Sequence, residues 1–105
     1  MYGPEPAGTW SSIVAADDRQ HQFLVAGQRY RVIREFVDFD HAVHPIGEDW
    51  IFLGCSFVPY HDGMSFFVSL DGVHEWQIRL QWVAEEQSEI LDNLAMHLEA
   101  SGTAS

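Results

Sequence analysis

The sequence has no lysine, a single cysteine and no glycine-rich run in its 105 residues. Each absence closes off a class of function. One cysteine, Cys55, excludes an internal disulfide framework and an all-cysteine zinc site. An unpaired cysteine also fits a reducing compartment, so a cytoplasmic location is expected. Gly27, Gly47, Gly54, Gly63 and Gly72 stand singly, without the clustering that cradles phosphate. No Gly-x-Ser-x-Gly nucleophile elbow occurs. No apolar run approaches the roughly 20 residues of a membrane helix. The N-terminus has neither the basic nor the apolar region of a secretory signal. Positive charge is scarce. The five cations are all arginines, against sixteen Asp and Glu, and the net charge is −11. Such a chain repels nucleic acid and anionic lipid, and speeds encounter with a basic protein. The plainer reason for the missing lysine is codon bias in a GC-rich genome.

What is present argues for one folded domain. At 47% hydrophobic and 13% aromatic the chain is too apolar to stay disordered. Residues 1–8 hold two prolines and two glycines without periodicity and read as a flexible tail. Residues 101–105 read as a second tail, leaving 9–100 as the domain. Thr9 is placed to cap a short helix over Trp10–Gln20, with Trp10, Ile13 and Val14 on one face.

The middle of the chain reads as β. The segment 29–38 is rich in β-branched and aromatic residues, with Tyr30, Val32 and Phe36 on one face. Residues 38–47 form a polar loop. The segment 49–58 is apolar on both faces, Trp50 and Phe52 on one, Ile51, Leu53, Cys55 and Phe57 on the other. That pattern calls for cover on both sides, from the helix and from a partner or second copy. Gly54 in its middle marks a bulge. Residues 64–70 and 74–82 alternate, the latter with Trp76, Ile78, Leu80 and Trp82 inward and Glu75, Gln77, Arg79 and Gln81 outward. Residues opposite each other in a hairpin share a face. A three-residue loop, Asp71–Val73, therefore sets Val68 against Trp76, Phe66 against Ile78 and Met64 against Leu80. A two-residue Asp-Gly turn sets Val68 against Glu75 and fails this test. Over 84–100, Ile90, Leu91, Leu94 and Leu98 make one helical stripe, with Glu85, Glu86 and Glu89 near its start and His97 near its end. The sum is a mainly β (α+β) fold. The first expectation is a small, strongly bent antiparallel barrel of the Src-homology-3-like type, with four to five strands and a C-terminal amphipathic helix. A flat sheet with one helix on one face is the alternative.

The order and spacing of Gly27, Tyr30-Arg31-Val32, Phe36, Asp38, His44, Gly47-Glu48, Trp50, Phe52-Leu53-Gly54, Pro59-Tyr60, Asp62-Gly63 and Ile78-Arg79-Leu80 are informative. Over roughly residues 24–95 they resemble small bacterial proteins grouped only as a domain of unknown function. The resemblance implies a bacterial source and a stand-alone domain, and it names no catalytic residue. Gly47–Phe52 after a polar loop is also similar to the second strand of Src-homology-3 domains, a likeness of fold alone.

Chemistry-bearing groups are few. His41 and His44, three apart beside Asp38 and Asp40, are candidate zinc ligands but lack a full set, and a solvated loop explains them as well. Cys55 lies on an apolar face, the setting of a small buried hydrophobe rather than a reactive thiolate. The pairs Asp17-Asp18 and Glu85-Glu86 are explained by solvation and the helix dipole. The expectation is therefore a non-enzymatic acidic binding module without a cofactor, such as an immunity protein or antitoxin that occludes a basic bacterial protein. Its candidate contacts are Asp38, Asp40, Glu48, Asp49, Tyr60 and Asp62. Two alternatives remain: a metal- or ligand-binding domain centred on His41 and His44, and a structural homo-oligomer, the simplest form being a homodimer.

Overall fold

Alternation of apolar and polar residues builds an antiparallel sheet at the centre of the protein. The computed structural model describes residues 2–14, 19–58, 63–81, 90 and 93–100. In chain order the strands are β1 (Tyr2–Pro6), β2 (Gln20–His21), β3 (Leu24–Val25), β4 (Arg29–Val32), β5 (Phe36–Val37) and β6 (Val43–His44). They continue as β7 (Asp49–Val58), β8 (Gly63–Ser69), β9 (His74–Gln81) and β10 (Leu98–Ala100). Helix α1 (Leu94–His97) immediately precedes β10. Six strands pair in the order β1-β9-β8-β7-β4-β10, while β2–β3 and β5–β6 form separate two-stranded pieces.

The β8–β9 register is the expected one: Met64 faces Leu80, Phe66 faces Ile78 and Val68 faces Trp76. The bulge at Gly54 is also present, and it resolves the two-faced character of β7. Phe52 lies opposite Val68, but Cys55 lies opposite Phe66, because the register shifts between Phe52 and Gly54. The extra residue turns Cys55 onto the face that Trp50 and Phe52 already occupy. Trp50, Phe52 and Cys55 are all buried in one core with Tyr30, Val32, Phe66, Ile78 and Leu80. The second apolar face of β7 therefore shrinks to Ile51 and Leu53, ahead of the bulge, both partly buried.

Four expectations are corrected. Among the described residues the sheet keeps two edges, β1 and β10, and does not close into a barrel. The helical stripe does bury Ile90, Leu94 and Leu98. However, the helix stops at His97, and Leu98–Ala100 becomes a strand on Val32, Arg31 and Tyr30. Those three residues satisfy backbone groups along the open side of β4 that a helix cannot reach. Residues 82–89 and 91–92, which include the expected helix start, lie outside the described residues. The segment read as a tail is strand β1, paired with β9 through Tyr2–Gln77, Glu5–Glu75 and Pro6–His74. Gly3 packs so tightly on β9 that a Cβ there would stand 2.7 Å from the Glu75 carbonyl oxygen and from Trp76 Cδ1. In place of a helix starting at Trp10 the described residues hold a 3-10 turn, Ser11–Ile13, followed by extended backbone at Val14, while residues 15–18 of the expected helix lie outside the described residues.

Glu75 explains this N-terminal arrangement. Its position in the alternation points it outward, yet it is 3% exposed. Its carboxylate accepts hydrogen bonds from Gly8 N–H (2.7 Å), Trp10 N–H (2.7 Å), Ser11 N–H (3.0 Å) and the Ser11 hydroxyl (2.5 Å). Burial raises the Glu75 pKa, but the Ser11 hydroxyl and the three amides outweigh it and hold the carboxyl below its ordinary value. Trp10 then stacks on Phe67 at 5.6 Å, covering the outer face of β8. The N-terminal segment is thus a strap across the sheet, fastened at one carboxylate.

Glu75→Ala leaves three amides without their acceptor. It is expected to cost about 2–3 kcal/mol in urea denaturation. Hydrogen exchange at Gly8, Trp10 and Ser11 should accelerate far more than at Phe66 and Ile78.

Candidate functional site

The described chain gathers ionisable groups most densely where the β5–β6 hairpin meets β7. This stretch was expected to be a loop throughout. Instead Phe36 pairs with His44 and Val37 with Val43, and residues 38–42 close the hairpin. Strand pairing is short because Ile33–Glu35 break away from β4, where Ile33 N–H bonds to the His97 carbonyl at 2.7 Å. A hairpin with two residues per strand does not hold itself together in water. Its inner face supplies what is missing.

His44 is fully buried there, stacked on Phe36 with ring centroids 4.6 Å apart. Its Nε2–H donates to Asp38 Oδ2 at 2.8 Å, and its Nδ1–H donates to Glu48 Oε1 at 2.7 Å. Trp50 Nε1–H also donates to Glu48 Oε1, at 3.2 Å. The other Asp38 oxygen accepts the amides of Asp40 (2.9 Å) and Ala42 (3.0 Å), which shapes the hairpin loop. His97 meets the edge of Phe36 at 6.0 Å. Both imidazole nitrogens carry protons in this geometry, so His44 is a cation held between two carboxylates.

The pKa directions agree with that assignment. Burial lowers the His44 pKa, but the hydrogen bonds to Asp38 and Glu48, then their charges, raise it above 6.5. Burial raises the Asp38 pKa. Its hydrogen bonds from His44 and Ala42 and the His44 charge prevail, and bring it down to about 2.

The structure separates the residues expected to act together. Asp38 and Glu48 are consumed by His44. Asp40 is half-buried and takes both Nε (3.0 Å) and Nη2 of Arg79, whose guanidinium also lies over Phe39. Asp49 is exposed and paired with Arg29 at 3.1 Å. Tyr60 and Asp62 lie outside the described residues. The proposed acidic contact patch is therefore largely an internal ion-pair network. The two histidines of the metal alternative sit in different settings. His44 has no free ring nitrogen, and His41 is exposed at the loop tip with φ 65°. Among the described residues no three His, Cys, Asp or Glu are placed to hold a metal. Cys55 is buried in the core, as expected. No helix among the described residues is long and apolar enough to cross a membrane.

A family model described as a domain of unknown function, DUF3601, matches residues 7–100. Among solved structures, an integron cassette protein from the mobile metagenome of Vibrio cholerae is similar at 33% identity. The match covers 90% of this chain and all of that one, with a TM-score of 0.79. No curated protein matches.

The ionic lock predicts a distinctive pH profile. The His44 contribution is complete below pH 6.5 and is lost as pH rises through its elevated folded value. The Asp38 contribution is complete above about pH 3.8 and is lost as pH falls through about 2. His44→Phe keeps the stacking shape but strands the buried Asp38 carboxylate and the partly buried Glu48. Near neutral pH it should cost about 3–5 kcal/mol and abolish the alkaline decline attributable to this site, as read from denaturation midpoints across pH.

Proposed function

The chain belongs to the DUF3601 family, and we propose that it is a non-catalytic, acidic protein-binding module whose partner is a basic protein. The observation that carries this reading is how its chemistry-bearing groups are spent. The Asp38–His44–Glu48 cluster is closed on itself, Glu75 is saturated by four donors, and Cys55 is buried. These groups stabilise the fold instead of facing a substrate. The charge of −11 supplies long-range attraction toward a cationic protein and discourages self-association. An immunity protein or antitoxin that occludes a basic bacterial protein is the concrete form of the proposal. The mobile-cassette origin of the similar structure suits such an accessory role. The unpaired Cys55 fits action in the reducing cytoplasm.

Immobilised protein, exposed to lysate of the source cells at low salt, tests the reading. A basic protein should be retained stoichiometrically and released at about 1 M salt, where the Debye length is ~3 Å. Retention of acidic proteins only, or of none, overturns the proposal.

A further inference from the structure

The described residues expose nine large hydrophobic side chains, and six of them fall in one region. These are Ile33, Val37, Phe39, Val43, Ile46 and Met96. Val37 and Val43 are direct cross-strand partners, so they share the outer face of the β5–β6 hairpin, opposite Phe36 and His44. Backbone hydrogen bonds draw the rest alongside. Gly47 N–H bonds to the Val32 carbonyl at 2.9 Å, bringing the turn that carries Ile46 beside the Ile33 corner. Ile33 N–H bonds to the His97 carbonyl, which sets Met96 next to the same corner. Ile46 is 70% exposed and Val43 54%. Isolated exposed hydrophobics need no explanation, but a concentration in one region around the hairpin does.

The hairpin is too short to hold this face by its own pairing. The lock beneath it, Asp38–His44–Glu48, fixes the hairpin and so presents its apolar face in one conformation. A preorganised surface loses less entropy on binding. We infer that the outer face of the β5–β6 hairpin, with Ile46 and Met96 at its side, is the docking surface for a basic protein that offers apolar side chains rimmed by arginine or lysine. This rests on the binding-module reading and moves the contact from the acidic loop residues to the apolar face beside them. Charge selects the occupant. A second copy brings another −11, whereas a cationic partner is attracted. Locally the exposed Glu35 stands beside the exposed Arg34, so the attraction comes from the charge of the chain as a whole.

The test compares variants on the basic protein that the wild-type chain retains from the source lysate. Val37→Asp/Val43→Asp and, separately, Ile46→Asp remove apolar contacts. Val25→Asp/Val73→Asp does the same at exposed sites elsewhere. All three add negative charge, which by itself strengthens attraction to a cation. Weakening by the hairpin variants therefore reports the lost apolar contact. Binding about tenfold or more weaker for both hairpin variants, with the control unchanged, is the expected result. Ile46→Asp changes a largely solvated side chain, and unaltered denaturation midpoints confirm that it is folded. Equal retention by wild type and hairpin variants overturns the assigned surface and leaves the module reading intact. If the wild type retains no basic protein, both fall. Sedimentation showing a wild-type dimer that Val37→Asp/Val43→Asp converts to monomer assigns the face to a second copy, and likewise overturns the inference.

Discussion

A buried imidazole with a carboxylate on each ring nitrogen is stable only as a cation. The Asp38–His44–Glu48 arrangement follows from that constraint, and the hairpin follows from the arrangement. Neutral His44 could donate from one nitrogen only, and its bare lone pair would face a carboxylate. Two formal negative charges around one positive leave the cluster at −1. The excess is offset by further donors: the amides of Asp40 and Ala42 on Asp38, and the Trp50 indole on Glu48. Charges held out of water are costly unless every lone pair and proton is matched. Here the matching groups come from the hairpin loop and β7, so the ionic network fixes how these two parts of the chain meet.

Glu75 applies the same physics on β9. It gathers three amides and one hydroxyl from residues 8–11 and thereby attaches β1 and Trp10 to the β8–β9 surface. Both sites spend acidic side chains on internal structure. The acidity of the composition is therefore a poor map of where the surface is acidic. Asp40, Asp49 and Glu99 narrow that map further, each being paired with an arginine.

The β8–β9 register was legible because one parity choice buries Phe66, Val68, Ile78 and Leu80 together and the other exposes them all. The Gly54 bulge was legible from a glycine inside an apolar strand. Its effect was not, because the phase change of β7 appears only once Cys55 is seen opposite Phe66. The lock was hidden for a different reason. His44 and Glu48 are four residues apart and Asp38 is six before His44, spacings that carry no meaning until the hairpin brings them together. Glu75 gave no sequence signal at all, since Ser11 lies 64 residues away. The end of the helical stripe was misread because Leu98 fits both a helical face and the first residue of an edge strand.

The N-terminal strap has one further consequence. It places β1, with Pro4 and Pro6, along one outer margin of the six-stranded sheet. Proline has no amide proton to offer, so two of the five residues on that margin cannot donate to an incoming strand. The strap thereby makes this side of the protein a poor template for the chain-on-chain β stacking that begins a fibril.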